Sequence, residues 1–285
     1  MKIAGILKTK KPVFSFEFFP PKTDEDSARL QTALKELKSL GPDFVSITHS
    51  PSGTEIMKTA SLAGNIQNTL GMNTMAHFTC VGRSKGEVAQ ITDGLKKMGV
   101  DNILALRGDV PPGQDPETAF TDYKHAVSLV SEIRKLGDFS IGVAGYPEKH
   151  PEAPSLEQDI SYLKEKADAG ADFIITQLFF NNDAYSAFLE KCANAGINLP
   201  ILPGIMPVTS YKQLKKFAGM CGASIPQEME QALNKIQNDK QAVINYGIEY
   251  AEKQCKDLLK RGAPGLHFYT LNKSHSTIEI LRDLK

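Results

Sequence analysis

Apolar runs of strand length recur along the chain, and segments with helical periodicity separate them. The eight runs cover residues 13–19, 44–48, 75–80, 102–106, 140–144, 173–180, 200–205 and 266–271. In the first intervening segment, Leu30, Leu34, Leu37 and Leu40 recur at helical spacing. Strands that alternate with helices form a parallel sheet with right-handed crossovers, and eight such units close into a barrel. The pattern therefore predicts an α/β fold, a (β/α)8 TIM barrel.

The spacing of the runs also predicts how the chain is divided. Residues 207–264 are mostly helical, which indicates an extra helical segment before the last strand rather than a second domain. Residues 1–285 are therefore expected to form one domain, because an α/β barrel takes about 250 residues. An open, doubly wound sheet is the alternative, but no Gly-x-Gly-x-x-Gly motif and no Walker-type phosphate loop follows a strand.

Glycines close to the ends of the predicted helices support these boundaries. A glycine accepts the left-handed conformation that commonly ends a helix. The glycines in question are Gly41, Gly71, Gly99, Gly137, Gly170 and Gly196.

Charge and cysteine content narrow the functional classes. Lys plus Arg equals Asp plus Glu at 33 each, without a long like-charge block, so neither nucleic acid nor an anionic membrane is an expected partner. No apolar run suits a signal peptide or approaches the roughly 18 residues of a membrane span, which predicts a cytoplasmic protein. The four cysteines form no Cys-x-x-Cys pair. Reduced, mostly buried thiols are expected, with no disulfide framework and no metal site.

The first strand carries one carboxylate, Glu17, in the sequence Ser-Phe-Glu-Phe-Phe-Pro-Pro from Ser15 to Pro21. Alternation along a strand places Phe14, Phe16 and Phe18 on one face and Ser15, Glu17 and Phe19 on the other. A buried carboxylate either finds hydrogen-bond donors or keeps its proton near neutral pH, and a protonated Glu is a general acid. The structural alternative is that Glu17 caps a loop or pairs with a lysine.

Other polar residues stand near the predicted strand ends, where barrels of this kind carry their chemistry. They are Thr48, His49, His77, Arg107, Gly108, Asp109, Tyr146, His150 and Gln177. Three of them have a simple structural alternative: a helix cap for Thr48, a core histidine for His77 and backbone hydrogen bonding for Gln177. Arg107 and Asp109 lead into a stiff Pro111-Pro112-Gly113 ending, and a salt-bridged turn explains them as readily as a function does.

The segment after the fifth strand begins with Ser155 and Gln158, a capping-box pattern. Asp159, Tyr162 and Lys166 then fall on one face of the predicted helix. That face is either solvated or placed to hold the ribose and phosphate of a nucleotide.

Six motifs together resemble the methylenetetrahydrofolate reductase family, of the bacterial single-domain type, along essentially the whole chain. They begin at Ser15 (SFEFFPP), Ala105 (ALRGDVPPG), Tyr146 (YPEKHPEA), Ile175 (ITQLFF), Pro203 (PGIMPV) and His267 (HFYTLN). The resemblance implies a catalytic barrel without a regulatory domain that binds FAD. It implies reduction of 5,10-methylenetetrahydrofolate to 5-methyltetrahydrofolate with NADH or NADPH, in two half-reactions, supplying methyl groups for methionine synthesis. A homo-oligomer is also implied.

The resemblance assigns roles to individual residues. Glu17 is the implied catalytic acid, which protonates N10 as the imidazolidine ring opens to the 5-iminium form, and Asp109 is implied to lie between flavin and pterin. The implied cofactor contacts are Thr48, His49, His77, Arg107, Gly108, Asp109, His125, Ala126, Ala144, Tyr146, His150, Asp159, Tyr162 and Lys166. The implied substrate contacts are Gln177, Gln213, Phe217, Tyr269 and Lys273.

Four positions depart from the pattern of a relative. His49 and His125 replace tyrosines, Tyr162 replaces an asparagine, and Lys273 replaces an arginine that contacts the folate tail. A lysine can still meet a carboxylate, but it lacks the bidentate fork of arginine, so folate affinity or tail preference is expected to differ.

Two other functional classes stay open at this point. A barrel lyase or aldolase would use Glu17 and Asp109 on a carbonyl substrate with a metal or a Schiff-base lysine, although the sequence offers neither a metal cluster nor a mid-strand lysine. A flavin- or folate-binding protein without turnover would keep the cofactor face but would have no need for a buried acid.

Overall fold

The computed structural model describes residues 1–49, 56–110, 113–115 and 118–284. Within them the strands are β1 Val13–Phe18, β2 Phe44–Ile47, β3 Thr74–Thr79, β4 Asn102–Leu106, β5 Ser140–Gly145, β6 Phe173–Thr176, β7 Ile201–Leu202, β8 Gly204–Ile205 and β9 Gly265–Tyr269. The helices are α1 Ile3–Thr9, α2 Asp24–Lys38, α3 Ile56–Leu70, α4 Lys85–Lys97, α5 Ala126–Leu136, α6 Leu156–Asp168, α7 Asn182–Asn194, α8 Tyr211–Cys221, α9 Gln227–Ile236, α10 Lys240–Lys260 and α11 His275–Arg282.

The strands form one parallel sheet in the order β7-β6-β5-β4-β3-β2-β1-β9-β8. The segments β7 and β8 are two halves of one strand position, interrupted at Pro203, because β7 pairs with β6 and β8 pairs with β9. The amide of His267 donates to the carbonyl of Pro203 over 3.0 Å, which strengthens this junction. The sheet thus returns on itself, and the predicted (β/α)8 barrel is confirmed.

Side-chain alternation divides the core into two layers. Phe14, Phe16 and Phe18 pack outward in one large cluster with residues of α2 such as Leu34. A smaller cluster, which includes Val13, fills the barrel interior. All six residues of β1 are buried.

Helix α1, which the hydrophobic pattern did not predict, closes one end of the barrel. The amide of Ile3 donates to Asn102 Oδ1 over 2.8 Å, and the amide of Ala4 donates to Ser140 Oγ over 3.0 Å. Because Asn102 and Ser140 begin β4 and β5, α1 lies at the amino-terminal end of the strands. Helix α1 therefore does not cover the carboxyl-terminal end of the strands, where a ligand can bind.

The extra helical segment predicted for residues 207–264 is confirmed as α8, α9 and α10. These helices form a satellite cluster in which Leu214, Met229 and Val243 are buried together with Met206 from the loop after β8. Their packing fixes α8 beside the carboxyl-terminal end of the barrel.

The glycine prediction holds at all positions but one. Gly41, Gly71, Gly99, Gly170 and Gly196 have φ values between 61° and 111°. At Gly137 the prediction is wrong, because φ is 172° and the backbone is extended. A Cβ at this position would meet the flexible end of the Lys96 side chain and approach Phe139 Cε2 to 3.1 Å.

The four cysteines are free thiols, buried except for the half-buried Cys221, as predicted. No helix in the described part of the chain has the length and apolar character needed to span a membrane.

Candidate active site

A cavity of about 420 Å³ opens where the strands end, on the side opposite α1. Loops after most of the strands contribute to its wall, as the topology of a barrel requires. The cavity brings together most of the residues predicted as site residues: Glu17, Thr48, His49, His77, Arg107, Gly108, Asp109, Ala126, Ala144, Tyr146, His150, Lys166, Gln177, Phe217 and Tyr269. We refer to it as the active-site cavity.

Three predicted cofactor contacts are not among the residues that line this cavity. His125 is the residue before α5, next to the lining residue Ala126. Asp159 supports the loop after β5, since its Oδ2 accepts from the amide of His150 over 2.8 Å. Tyr162 is 46% exposed on α6. Of the three residues predicted to share one face of α6, only Lys166 lines the cavity.

Two predicted substrate contacts, Gln213 and Lys273, line a neighbouring cleft instead. Pro111 and Pro112, predicted as a stiff ending to the turn after β4, lie outside the described residues.

Glu17 is buried on the inner face of β1, where two histidines approach its carboxylate. Its Oε2 lies 3.3 Å from His77 Nε2 on β3 and 3.5 Å from His267 Nε2 on β9. Behind His267, Ser15 Oγ lies 2.8 Å from His267 Nδ1. Ser15 and His267 are fully buried, so a chain of polar groups runs from the cavity wall into the barrel.

These neighbours set the protonation state of Glu17. Burial raises the pKa of its carboxyl, but hydrogen bonding and charge from His267 and His77 outweigh burial and lower the pKa to about 2. The expectation that Glu17 keeps its own proton near neutral pH is therefore wrong. The phenylalanines of β1 pack on the opposite face of the strand, and imidazoles occupy the side that Glu17 faces. At neutral pH Glu17 is therefore a carboxylate.

Lys166 places an ammonium group in the same wall. Its Nζ donates to the carbonyl of Ala144 over 2.7 Å. Burial lowers the pKa of Lys166 to about 8, against the opposing charge of Asp159. This lysine is poised to gain an anionic partner, because a nearby negative charge would favour its protonated form.

Arg107 has a different partner from the one that the sequence suggested. Its guanidinium forms two hydrogen bonds with the carboxylate of Glu152, one of them 2.8 Å long, rather than a pair with Asp109. Asp109 is exposed at the rim of the cavity. The Arg107 side chain therefore ties the loop after β4 to the loop after β5.

Tyr146 and His150 form an aromatic edge-to-face pair, with ring centroids 4.6 Å apart. The amide of Glu152 donates to His150 Nδ1 over 3.1 Å, and burial lowers the pKa of His150. A neutral imidazole in this place provides a flat, partly apolar wall.

Two threonines and a glycine are further features of the cavity wall. The buried hydroxyls of Thr48 and Thr79 line the cavity and have no hydrogen-bond partner within the described ranges. Gly108 has φ +82°, and a Cβ there would lie 2.6 Å from Val81 Cγ1. The left-handed backbone and the packing against Val81 and Thr79 both require glycine at this position of the cavity wall.

Gln177, Tyr269 and Phe217, the predicted substrate contacts that line the cavity, come from the loop after β6, from β9 and from α8. Tyr269 Oη donates to the carbonyl of Thr176, and burial together with the charge of Glu17 raises the pKa of Tyr269 well above its usual value. Gln177 Oε1 accepts from the amide of Leu178 over 2.9 Å. The half-buried Phe217 reaches the cavity from α8.

The family model described as methylenetetrahydrofolate reductase matches residues 2–285 of this chain. The chain belongs to the methylenetetrahydrofolate reductase family.

Relatives within this reductase family differ in length. The chain is 41% identical to methylenetetrahydrofolate reductase (NADH) 1 of Arabidopsis thaliana, over 99% of this chain and 50% of that protein. It is 39% identical to 5,10-methylenetetrahydrofolate reductase of Escherichia coli (strain K12), over 95% of this chain and 90% of that protein. The chain thus spans about half the length of the plant relative.

A solved structure shares the fold of this reductase family member. An uncharacterized protein from Clostridium thermocellum, described as binding two copies of 5-methyl-5,6,7,8-tetrahydrofolic acid, superimposes with a TM-score of 0.67 at 17% identity. The match covers 100% of this chain and 99% of that protein. At this identity the likeness shows the barrel fold alone.

Sequence reasoning missed several residues of the site. His267 belongs to the HFYTLN motif but was not predicted as a site residue, although it stands two positions before Tyr269 on one strand. Alternation would have placed both side chains on the inner face. Phe19, Thr79, Met206, Cys221 and Leu271 also line the cavity.

Proposed function

We propose that this protein reduces 5,10-methylenetetrahydrofolate to 5-methyltetrahydrofolate, using FAD and taking hydride from NADH or NADPH in a separate half-reaction. The observation that carries the proposal is the buried Glu17 carboxylate with two imidazoles within 3.5 Å, at the wall of a cavity that α8 partly covers. Family membership and the names of the relatives support the same reaction.

The residues present fit a flavin dinucleotide. The hydroxyls of Thr48 and Thr79 offer donors, and the Lys166 ammonium suits a phosphate. When bound, FAD would accept hydride from the nicotinamide and supply it to the one-carbon unit of the folate. Tyr146 and His150 would pack against a planar group, as their edge-to-face pairing leaves apolar ring surface in the cavity wall.

The chain itself supplies the proton that ring opening needs. The amine N10 of the folate leaves well only as it gains a proton, so a proton donor must stand at the cavity wall. His267 is fully buried and does not line the cavity, whereas Glu17 and His77 do. We infer that the Glu17 carboxylate, with the imidazoles of His77 and His267 beside it, relays the proton toward N10. The acid is then a cluster of three side chains rather than one carboxylic acid.

The remaining predicted substrate residues would position the rings. Asp109 at the rim would accept a hydrogen bond from the pterin and place a negative charge beside the flavin. Gln177 and Tyr269 would contact folate, and Phe217 would pack on folate or nicotinamide in turn. Alternating occupancy of one cavity by two planar substrates is consistent with a two-step reaction through the cofactor.

We also propose that residues 1–285 form one catalytic domain that acts as a homo-oligomer. The continuous barrel supports the first part of this proposal. Size-exclusion chromatography with light scattering tests the second part, and a mass equal to one chain of 31.2 kDa would contradict it.

A Schiff-base lyase or aldolase remains a second candidate because of one observation. Lys166 lines the cavity with a pKa lowered to about 8, which is a property of lysines that form Schiff bases. Borohydride treatment in the presence of pyruvate or oxaloacetate, followed by mass spectrometry, would trap such an adduct. We expect no adduct on Lys166.

A spectrum of the purified protein tests the reductase proposal. We expect oxidised flavin absorption, either as purified or after addition of FAD, with loss of colour on anaerobic addition of NADH or NADPH. Colour should return when 5,10-methylenetetrahydrofolate is added. A protein that stays colourless and inactive with added FAD would contradict the proposal, and bleaching without recovery would point to a binding protein without folate turnover.

A further inference from the structure

The loop after β5 and the loop after α8 contact each other beside the active-site cavity. The amide of Ser224 donates to Glu148 Oε2 over 3.0 Å, and Ser224 Oγ donates to the same oxygen. Both hydrogen bonds that the Glu148 carboxylate receives within the described ranges come from Ser224. Glu148 is half-buried and is not among the described residues that line the cavity. We call this contact the Glu148–Ser224 bridge.

Backbone packing joins the same two loops. Gly222 follows α8 with φ +70°, the left-handed conformation that commonly ends a helix. A Cβ on Gly222 would lie 3.3 Å from the carbonyl oxygen of Lys149 and 3.4 Å from Pro151 Cγ. The end of α8 therefore rests directly against the loop after β5, and the bridge adds hydrogen bonds to this packing.

The loop after β5 is held in place by contacts of its own. Lys149 has φ +92°, a conformation that is costly for a residue with a side chain and persists only where the surroundings maintain it. Its Nζ donates to three carbonyls of the same loop, including that of Ala153 over 2.6 Å. Asp159 Oδ2 accepts from the amide of His150 over 2.8 Å. The bridge thus attaches α8 to a firmly held part of the barrel.

The two elements that the bridge connects form different parts of the cavity wall. The loop after β5 carries Tyr146 and His150, both predicted cofactor contacts. Helix α8 carries Phe217, predicted to pack on folate or nicotinamide, and the lining residue Cys221 at its end. The four residues from Phe217 to Cys221 correspond to about 6 Å along the helix axis. A shift of this helix end would therefore move the Phe217 ring relative to the cofactor wall.

We propose that Glu148 is a positioning residue for both half-reactions, an inference that rests on the proposed function. Through Ser224 it sets the distance between Phe217 and the cofactor wall, and a planar substrate ring binds in the gap between them. Leu214 and Met229 pack α8 in the satellite cluster. The helix therefore stays folded when the bridge is lost, and what changes is its position beside the cavity.

Steady-state kinetics of the FAD-loaded variant Glu148→Ala test this role. KM for the nicotinamide dinucleotide and for 5,10-methylenetetrahydrofolate should each rise about three- to tenfold, the order expected for losing hydrogen bonds to a partly exposed carboxylate. The value of kcat should stay within about twofold, because the lost contact affects binding more than chemistry. The Kd for FAD should also stay within about twofold, since the loop after β5 keeps its own hydrogen bonds. A residue that supports folding alone would lower thermal stability without separating KM from kcat.

Three further variants separate the bridge from general effects of charge and folding. Glu157→Ala removes an exposed carboxylate that pairs with Lys191 Nζ over 3.1 Å between α6 and α7, and it should leave both KM values unchanged. The reversed pair Glu148→Lys/Ser224→Glu restores attraction between the two loops, so both KM values should fall again relative to Glu148→Lys alone. If Glu148→Ala does not fold, Ser224→Ala keeps the amide hydrogen bond and should still raise both KM values about two- to threefold.

The contrary outcomes are distinguishable from one another. Native KM values in Glu148→Ala and Ser224→Ala, or equal effects in Glu148→Ala and Glu157→Ala, would refute the positioning role and leave the proposed reaction intact. Weaker FAD binding with unchanged KM values would also refute it, because the bridge would then support the cofactor loop rather than α8. Failure of the native protein to reduce 5,10-methylenetetrahydrofolate would contradict the proposed function itself.

Discussion

Glu17 on β1 and His267 on β9 face each other inside the barrel, with Oε2 and Nε2 3.5 Å apart. His267 is fully buried and its other nitrogen lies 2.8 Å from Ser15 Oγ, so it can influence a substrate only through the cavity residues that it contacts, Glu17 and Tyr269. His267 is therefore a positioning residue that helps to set the charge of Glu17. Its replacement should change the pH dependence of proton delivery.

We expect His267→Gln to raise the pKa of Glu17, because burial would then be opposed by His77 alone. The pH profile of flavin reoxidation by 5,10-methylenetetrahydrofolate should shift, while flavin reduction by the nicotinamide stays within about twofold. Stopped-flow measurement of both half-reactions between pH 5 and 9 checks this. His275→Gln on the surface helix α11 is the control, and an unchanged folate-step profile in His267→Gln would refute the coupling.

Lys166 predicts how cofactor affinity depends on pH. Its pKa of about 8 in the free protein means that the ammonium is lost as pH rises through that value, so FAD affinity should fall between pH 7 and 9. Lys166→Met should bind FAD about tenfold more weakly at pH 7, the order expected for a charge-assisted hydrogen bond, and should lose the pH dependence.

Fluorescence titration with FAD measures these affinities. Lys164→Met, which removes a lysine paired with Asp168 on the same helix, provides the control. A native FAD affinity that is flat from pH 7 to 9 would contradict the assignment of Lys166.

Asp109 is predicted to act on both folate and flavin, because it stands at the rim that both rings would share. Asp109→Asn removes one negative charge there, so it should weaken folate binding and raise the flavin reduction potential. Folate titration and an equilibrium redox titration measure the two effects. If neither value changes, Asp109 has no part in the site.

The fit between Gly204 and Tyr269 makes a stability prediction. A Cβ on Gly204 would lie 2.6 Å from Tyr269 Cε2, and it would also overlap the carbonyl of Thr176 that accepts the Tyr269 hydrogen bond. Gly204→Ala should therefore lower the free energy of unfolding by about 1–3 kcal/mol, as overpacking of a core does.

Urea unfolding measures the loss of stability in Gly204→Ala, and the same substitution at Gly219 is the control. Gly219 in α8 has no heavy atom within 4 Å of an added Cβ. Gly219→Ala should be neutral or stabilising by up to about 1 kcal/mol, because alanine favours a helix more than glycine does. Equal stability of the two variants would contradict the prediction and would show that the backbone at Gly204 shifts to accommodate the added methyl group.

The barrel could be predicted from sequence because its strands and helices follow from hydrophobic patterns that are local and periodic. The strand predicted for residues 102–106 is observed at the same bounds, whereas the run 173–180 yields a strand only to Thr176. Leu178, Phe179 and Phe180 are apolar for another reason, since they pack beneath the helices that follow. Helix α1 was missed because its apolar residues fill a barrel end, which a linear pattern does not reveal.

The protonation state of Glu17 could not be predicted in the same way. The phenylalanines beside it in sequence suggested apolar walls, but alternation turns them to the other face, and the actual neighbours come from β3 and β9. His267 is 250 positions away along the chain, so the contact depends on closure of the barrel. Likewise, Glu152 was not foreseen as the partner of Arg107, because the pair joins two different loops.

The central claim is that the Glu17 cluster supplies the proton for opening of the folate ring. Stopped-flow kinetics of Glu17→Gln in the two half-reactions test it most directly, since an amide cannot relay a proton as the carboxylate does. Flavin reduction by NADH or NADPH should stay near the native rate, whereas reoxidation by 5,10-methylenetetrahydrofolate should fall by about 10²-fold or more. Equal losses in both half-reactions, or a native rate of reoxidation, would contradict the claim.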